Sequence, residues 1–491
     1  MRKSGVLLHV TSIPGTRGIG DLGSEAFAFV DWLSKARQGV WQILPLGPTG
    51  RTGSPYDATS AFAGNPLLIS VERLVEEGFV HPNSLPELGA PGDDQVDFAR
   101  VSRIKGNLLR TAWDGFTRRA STTQRDELAT FQRVHASWLA PWTLFAAIGG
   151  HLGQRSWTAW PEGLRRRDRA ELASAERSLA EQIAFHAFVQ FTFYRQWHAV
   201  RTRAHVLGIQ ILGDIPIYVS LDSADVWIHR EQFDLDDNCQ PRNVAGVPPD
   251  AFSATGQRWE CPLYDWSRME SDSFSWWIER LRWSGTLFDL LRLDHFRGFV
   301  DYWAIPAHGR TAAHGVWRPG PGVALFEQAQ RHLPSLEFIA EDLGEITDNV
   351  IALRKRLNIP GTRVLQFGFD SDDSDHHPDH VPIDCAYYTA THDNDTTAGW
   401  FKSLPKSAQR AVLDRLGVDP AQIPWAAVQA VSQSAARLAI APAQDLVGLG
   451  RQHRMNTPGT SQCNWRCRLP AGSLQHDLAD RLQSLTQQNA R

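Results

Sequence analysis

Asp294, Glu341 and Asp393 each stand where a short apolar run ends. The runs read Leu290-Leu291-Arg292-Leu293-Asp294, Glu337-Phe338-Ile339-Ala340-Glu341 and Tyr387-Tyr388-Thr389-Ala390-Thr391-His392-Asp393. A carboxylate at the mouth of an apolar strand is costly to desolvate unless it is paired or put to use. Three in succession, separated by enough chain for a helix and a loop, read as one cluster built from successive strand ends. Paired carboxylates without a metal or cofactor signature point to glycoside chemistry. One acid attacks the anomeric carbon and another protonates the leaving oxygen.

The neighbours refine this reading and supply its alternatives. Arg292 and Asp294 alternate with Leu291 and Leu293, so both point to one side of a strand. A guanidinium beside a carboxylate favours the ionised form, which suits a nucleophile; the alternative is a structural ion pair. Glu341 near other acids holds its proton more tightly, which suits a general acid. Asp342 faces the opposite way on an extended strand, and a solvated strand end is the competing reading of this pair. His392 serves as a donor to a substrate hydroxyl, as a satisfied buried histidine or, least well supported by spacing, as a metal ligand. Asp214, in Leu212-Gly213-Asp214-Ile215-Pro216, is a fourth acid for the cleft floor or a buried acid holding nearby backbone.

Other chemistries find little support. Asp375-His376-His377-Pro378-Asp379-His380 is metal-like in composition, but its Asp- and Ser-rich setting reads as a surface loop. Cys463 and Cys467 lack a second ligand pair and read as incidental reduced thiols, so no metal is expected. No stretch forms a Walker loop or a dinucleotide fingerprint, and kinase and dehydrogenase readings lose support with it. No cofactor is expected.

Positioning such a cluster requires strands that converge. Apolar runs at 5–10, 40–46, 209–219, 288–293, 337–340, 363–369, 386–391 and 438–446 fit buried parallel strands. Eight is the number a (β/α)8 TIM barrel needs, and such barrels gather their active sites at the carboxyl ends of the strands. The whole chain, 1–491, then reads as a single catalytic barrel of α/β class with two insertions. One, 67–205, is mostly helical: Glu171–Val200 contains neither Gly nor Pro, and Trp113, Trp138, Trp142, Trp157 and Trp160 precede it. The other, 220–287, is Pro/Gly/Asp-rich in its middle and reads as a lid or cleft wall.

Bulk properties agree with a soluble enzyme. Hydrophobic residues make up 42% and charged residues 21% of 491. A net charge of −4 gives no reason to expect nucleic acid or an anionic membrane as partner. The first residues lack the apolar stretch of a secretory signal, and no window approaches the roughly 20 apolar residues of a spanning helix. Five cysteines in so long a chain suggest a reducing, cytoplasmic setting. The 19 Trp against 7 Tyr fit both core packing and stacking on sugar rings.

Ordered motifs along almost the whole length resemble the 4-α-glucanotransferases called amylomaltases or disproportionating enzymes, relatives of the α-amylases. They include Leu8-His9-Val10-Thr11-Ser12-Ile13-Pro14, Trp41-Gln42-Ile43-Leu44-Pro45-Leu46-Gly47-Pro48, Gly53-Ser54-Pro55-Tyr56 and Ser60-Ala61-Phe62-Ala63-Gly64-Asn65-Pro66. Gly246-Val247-Pro248-Pro249-Asp250, Gly256-Gln257-Arg258-Trp259 and Arg454-Met455-Asn456-Thr457-Pro458-Gly459-Thr460 continue the match. The resemblance implies a barrel with inserted subdomains and no separate C-terminal β domain. It implies Asp294 as nucleophile, Glu341 as general acid/base and Asp393 as stabiliser of the distorted sugar. Arg292, His295, His392 and Asp214 would support these acids or bind hydroxyls, and Tyr56 and Trp259 would contact glucan. The implied substrates are α-1,4-glucans such as maltooligosaccharides, glycogen or starch. An α-1,4-glucan hydrolase and a catalytically silent glucan-binding protein remain the alternatives. The chain departs from the family at Ala251, where a tyrosine is common, at Glu260-Cys261 in place of Gly-Asn, and at Cys463-Asn464-Trp465-Arg466-Cys467, which replaces a pattern that usually carries a second Trp.

Overall fold

The computed structural model describes residues 2–15, 17–50, 52–85, 94–153, 156–249, 254–371 and 373–491. Twelve strands run through the described residues: β1 Lys3–Leu7, β2 Val40–Gln42, β3 Gln210–Ile215, β4 Asn243–Val247, β5 Gln257–Pro262, β6 Leu290–Leu293, β7 Asp301–Pro306, β8 Val316–Pro319, β9 Glu337–Ala340, β10 Gly361–Val364, β11 Cys385–Tyr388 and β12 Leu438–Pro442. Eight of them form a parallel sheet in the order β10-β11-β12-β1-β2-β3-β6-β9. All eight apolar runs therefore contain or overlap a barrel strand.

The alternation of side chains explains why the runs are apolar throughout. Leu7, Val40, Leu212, Leu290, Ile339, Val364, Ala386 and Ile440 pack together inside the barrel. Val6, Trp41, Ile211, Leu291 and Ala340, one residue out of phase, pack outward in the main core. Strands buried on both faces lose the polar alternation of a half-exposed sheet. Each buried aliphatic side chain contributes about 1.5–3 kcal/mol, and the inner layer makes a largely apolar floor beneath the polar residues above it.

The sheet closes at a seam between β9 and β10. Ala340 N–H donates to Pro360 O at 2.8 Å, and Thr362 Oγ1 donates to Ala340 O at 2.8 Å. The Thr362 N–H donates instead to Asp342 Oδ1 at 2.6 Å, so a carboxylate stands in for a ladder acceptor. A Cβ on Gly361 would lie 2.7 Å from Asp342 Oδ2, which makes glycine necessary at this approach. Asp342 also pairs with Arg354 Nε at 3.1 Å and Arg363 Nη1 at 3.3 Å.

Several strands stop earlier than their apolar runs. β3 ends before Pro216, and β12 ends at Pro442, beyond which the helix Ala443–Val447 begins. Proline lacks the N–H that the ladder requires. Leu365–Phe369 is a 3-10 turn rather than a strand continuation. Between β2 and β3 the chain passes through helices at Val71–Glu76, Phe98–Arg119, Thr122–Val134, Ala136–His151, Glu162–Arg165, Arg169–Ser178 and Ala180–Val206. The stretch Glu171–Val200, read as helical, lies in two helices that meet at Leu179. Trp138, Trp142, Trp157 and Trp160 are buried, so these indoles serve packing.

A second sheet was not anticipated from the sequence. It is antiparallel, in the order β5-β4-β7-β8, and joins strands that precede and follow β6. It brings Trp259, on β5, against the loop that follows β6.

Candidate active site

Register places the polar layer. Asp214 on β3 pairs with Arg292 on β6, and Leu293 on β6 pairs with Ala340 on β9. Asp294 and Glu341 each follow that last rung by one residue, and Glu341 N–H donates to Leu293 O at 3.0 Å. Partners in register share a face, as do residues two apart. Asp214, Arg292, Asp294 and Glu341 consequently converge on the inner side of the barrel mouth.

Arg292 is the hub. Its Nη1 donates to Asp214 Oδ1 and Oδ2 at 2.9 and 2.7 Å and to Asp294 Oδ1 at 2.7 Å. The Arg292 side chain is 4% exposed and that of Asp214 is 0%, whereas Asp294 is 25% exposed and open to the cleft. Breaking a buried pair of this kind by removing one partner typically costs about 3–5 kcal/mol. The pair can therefore hold Asp294 in a fixed orientation.

Glu341 is held by backbone. His295 N–H donates to its Oε2 at 2.8 Å and Leu343 N–H to its Oε1 at 3.1 Å. Burial pushes its pKa up to about 8, with the Asp294 charge adding to the rise; Arg292 and the two N–H groups oppose it. Each oxygen retains a lone-pair direction outside those bonds, so a proton can be presented to the cleft. His295 reaches this position with φ +50°, a left-handed conformation that costs about 1–2 kcal/mol for a non-glycine residue. Its ring meets Trp259 edge-on at 4.9 Å, and burial lowers its pKa to about 4, which keeps the imidazole neutral.

Tyr56 and His392 join the cluster from the other side. The Tyr56 hydroxyl donates to Asp214 Oδ2 at 2.8 Å. Its one hydrogen is thereby used, so the 2.9 Å contact with His392 Nε2 requires the imidazole to donate. The same Nε2 lies 3.4 Å from Asp393 Oδ2. Asp393 Oδ1 accepts from Asn456 Nδ2 at 2.6 Å, and its backbone carbonyl accepts from Arg454 Nη2 at 2.5 Å. All nine residues singled out in the sequence stand in this one connected constellation.

Arg454 and Asn456 received no individual role from the sequence, although both lie in the motif Arg454–Thr460. The available signal was an amide and a guanidinium two residues apart in a loop after the last barrel strand. The His/Asp run after β10 is engaged locally. Asp375 pairs with Arg363, His376 Nδ1 accepts from Val364 N–H at 3.0 Å, and His377 Nε2 accepts from Arg415 Nε at 3.1 Å. Among the family departures, Ala251 lies outside the described residues. Glu260 adopts φ +61° and pairs with Arg258. Cys467 is buried beside Trp465 and accepts from Gln444 Nε2 at 3.7 Å.

Comparisons with known proteins agree with this geometry. A family model described as 4-alpha-glucanotransferase matches residues 8–475. The chain is 44% identical to a 4-alpha-glucanotransferase of Thermus thermophilus, over 100% of this chain and 99% of that one. It is also 44% identical to a chloroplastic/amyloplastic 4-alpha-glucanotransferase of Solanum tuberosum, over 96% and 83%. The structure superposes on an amylomaltase from Streptococcus agalactiae, solved with acarbose, with a TM-score of 0.97 at 36% identity and full coverage of both chains. The chain belongs to the 4-alpha-glucanotransferase family.

Proposed function

We propose that this enzyme moves α-1,4-glucan segments from a donor to the 4-hydroxyl of an acceptor glucan or glucose by retaining double displacement. One observation carries the reading. Asp294 and Glu341 extend a single rung of neighbouring strands, with a guanidinium on the first and a proton retained near neutral pH on the second.

Glu341 gives its proton to the glycosidic oxygen while an Asp294 oxygen attacks the anomeric carbon. The bond to the leaving fragment breaks and a covalent glycosyl-enzyme forms. Glu341, now ionised, takes the proton from an incoming 4-hydroxyl, whose oxygen displaces Asp294 and restores the α-configuration. Retention requires the two carboxyl groups about 5–5.5 Å apart, and neighbouring strands lie about 4.7–4.9 Å apart. Asp393, held by Asn456, accepts hydrogen bonds from sugar hydroxyls as the ring distorts, and His392, donating from Nε2 to Tyr56, fixes the Tyr56 ring beside it. Trp259 and Tyr56 offer flat faces to glucan. Residues 220–287 wall the cleft, because β5 sets Trp259 beside His295, and the helices of 67–205 buttress it. The unpaired Cys239, Cys261, Cys385, Cys463 and Cys467 support a reducing, cytoplasmic setting. Among the described residues no helix is long and apolar enough to cross a membrane.

Incubation with maltotriose tests the reading, following both chain length and total reducing ends. Transfer yields glucose and a ladder of longer maltooligosaccharides with reducing ends constant. Rising reducing ends without longer products would identify a hydrolase, and glucan binding without any product would identify a silent binder.

A further inference from the structure

Beside His392 lies a second cavity whose walls include Leu7, His9, Asp395, Gln444 and His453. Of the nine residues of the constellation, it touches His392 alone. Three of its lining residues each carry a buried polar atom without a hydrogen-bond partner: His9 Nδ1, Asp395 Oδ1 and His453 Nδ1. Their residues are only 5%, 8% and 6% exposed. A buried polar atom left unpaired costs about 1–3 kcal/mol. Three of them around one cavity call for a shared partner.

The chemistry of the three selects that partner. They come from separate parts of the fold: His9 follows β1, Asp395 follows β11 and His453 closes the 3-10 turn Arg451–His453. No hydrogen bond joins one to another. Asp395 already accepts from Arg451 Nε at 2.6 Å through Oδ2, leaving Oδ1 as a pure acceptor. Burial and the nearby His392 push the His9 pKa down to about 3, so its ring is neutral. A neutral imidazole nitrogen donates or accepts according to tautomer, so the partner must do both. Among the described residues no group of three His, Cys, Asp or Glu is placed to hold a metal ion. A water molecule donates and accepts, and persists in a cavity that offers it about two to four polar partners.

We infer that this cavity holds a cluster of ordered water molecules that bridges His9, Asp395 and His453 and thereby positions the His392–Asp393 segment. Asp395 lies two residues beyond Asp393, and its carbonyl accepts from Gln366 Nε2 at 2.8 Å. Arg454, next to His453, holds the Asp393 carbonyl, and Asn456 N–H donates to His392 O at 3.1 Å. Both flanks of Asp393 are thus tied to walls of the cavity. His9 and His453 act as positioning residues, reaching the reaction only through this segment.

Two measurements test the inference, and only the second rests on the proposed transfer reaction. A high-resolution crystal structure of the wild-type enzyme should show waters about 2.7–3.2 Å from each of the three atoms. Protein groups in their place, or a cavity without water density, would overturn it. In maltotriose disproportionation, His9→Leu and His453→Leu should each lower kcat about tenfold, with KM held within about twofold. The double variant should be no worse than either single one, because the two rings act only through the shared water cluster. His9→Asn, which keeps a polar atom facing the cavity, should recover most of the loss. Additive losses, no recovery by Asn, or a lowered Tm with kcat unchanged would each contradict the inference. A wild-type enzyme without transfer activity would refute the proposed function and leave the crystallographic test standing.

Discussion

Glu341 and Asp342 are neighbours in sequence, both pushed upward in pKa by burial, yet they sit in clusters of opposite charge balance. On the inner side of the barrel, one guanidinium, Arg292, is shared by Asp214 and Asp294, with Glu341 close by. On the outer side, one carboxylate, Asp342, is shared by Arg354 and Arg363 and also accepts the Thr362 N–H. The inner cluster has more carboxylates than cations, and the proton that Glu341 keeps offsets part of the excess. The outer cluster has two guanidinium groups for its one buried carboxylate, and the other acids that reach them, Asp375 and Asp384, are more than half exposed. Identical residue types therefore make a proton donor in one place and a clasp for the barrel seam in the other, and stoichiometry decides which.

Substitutions in the two clusters should separate these roles. Asp294→Asn or Glu341→Gln should lower transfer by about 10⁴-fold, in the range expected for a lost nucleophile or positioned acid, without loss of folding. Near-normal turnover in either would break the comparison at its catalytic end. Asp342→Asn should do the reverse. It takes from Arg354 its only close carboxylate, while Arg363 keeps Asp375, and should cost about 3 kcal/mol in denaturant unfolding. Activity per folded molecule should stay within about twofold of wild type, since Asp342 faces away from the cleft.

pH sharpens the contrast. If Glu341 must enter the reaction protonated, kcat/KM falls as pH rises through about 8. A pH–rate profile with its alkaline limb set near the ordinary carboxyl range would contradict the charge argument. The smallest effect is on stability. Glu341 has a folded pKa raised above the unfolded value of 4.5. Between those values the folded state binds the extra proton, so its stability declines as pH rises across that window. Glu341→Gln removes that decline. Its Tm should match wild type near pH 4.5 and exceed it by about 1–2 °C at pH 9. A variant less stable than wild type at pH 9 would reverse the sign and refute the assignment.

The two clusters were not equally legible in the sequence. Barrel strands announced themselves because both faces are buried, as in Leu290-Leu291 and Val40-Trp41. Strand parity then put Arg292 and Asp294 on one face and set Asp342 opposite Glu341. What parity could not supply was partners from distant segments. Arg354 and Arg363 reach Asp342 from a later helix and strand, and Asn456 reaches Asp393 from a loop 63 residues away. The antiparallel sheet β5-β4-β7-β8 was hidden for the same reason. Two of its strands, β5 and β8, are largely unburied, and the pairing spans the whole of β6.

The most direct test of the account is to trap the covalent intermediate on Asp294. The Glu341→Gln variant is mixed with an α-maltosyl fluoride, whose leaving group departs without an acid, and the protein is mapped by peptide mass spectrometry. Glycosylation should proceed, its reversal should stall for want of a base, and one maltosyl group should appear on Asp294. A maltosyl group on Asp214 or Asp393, or turnover of the fluoride with no adduct at all, would contradict the assignment of nucleophile and acid.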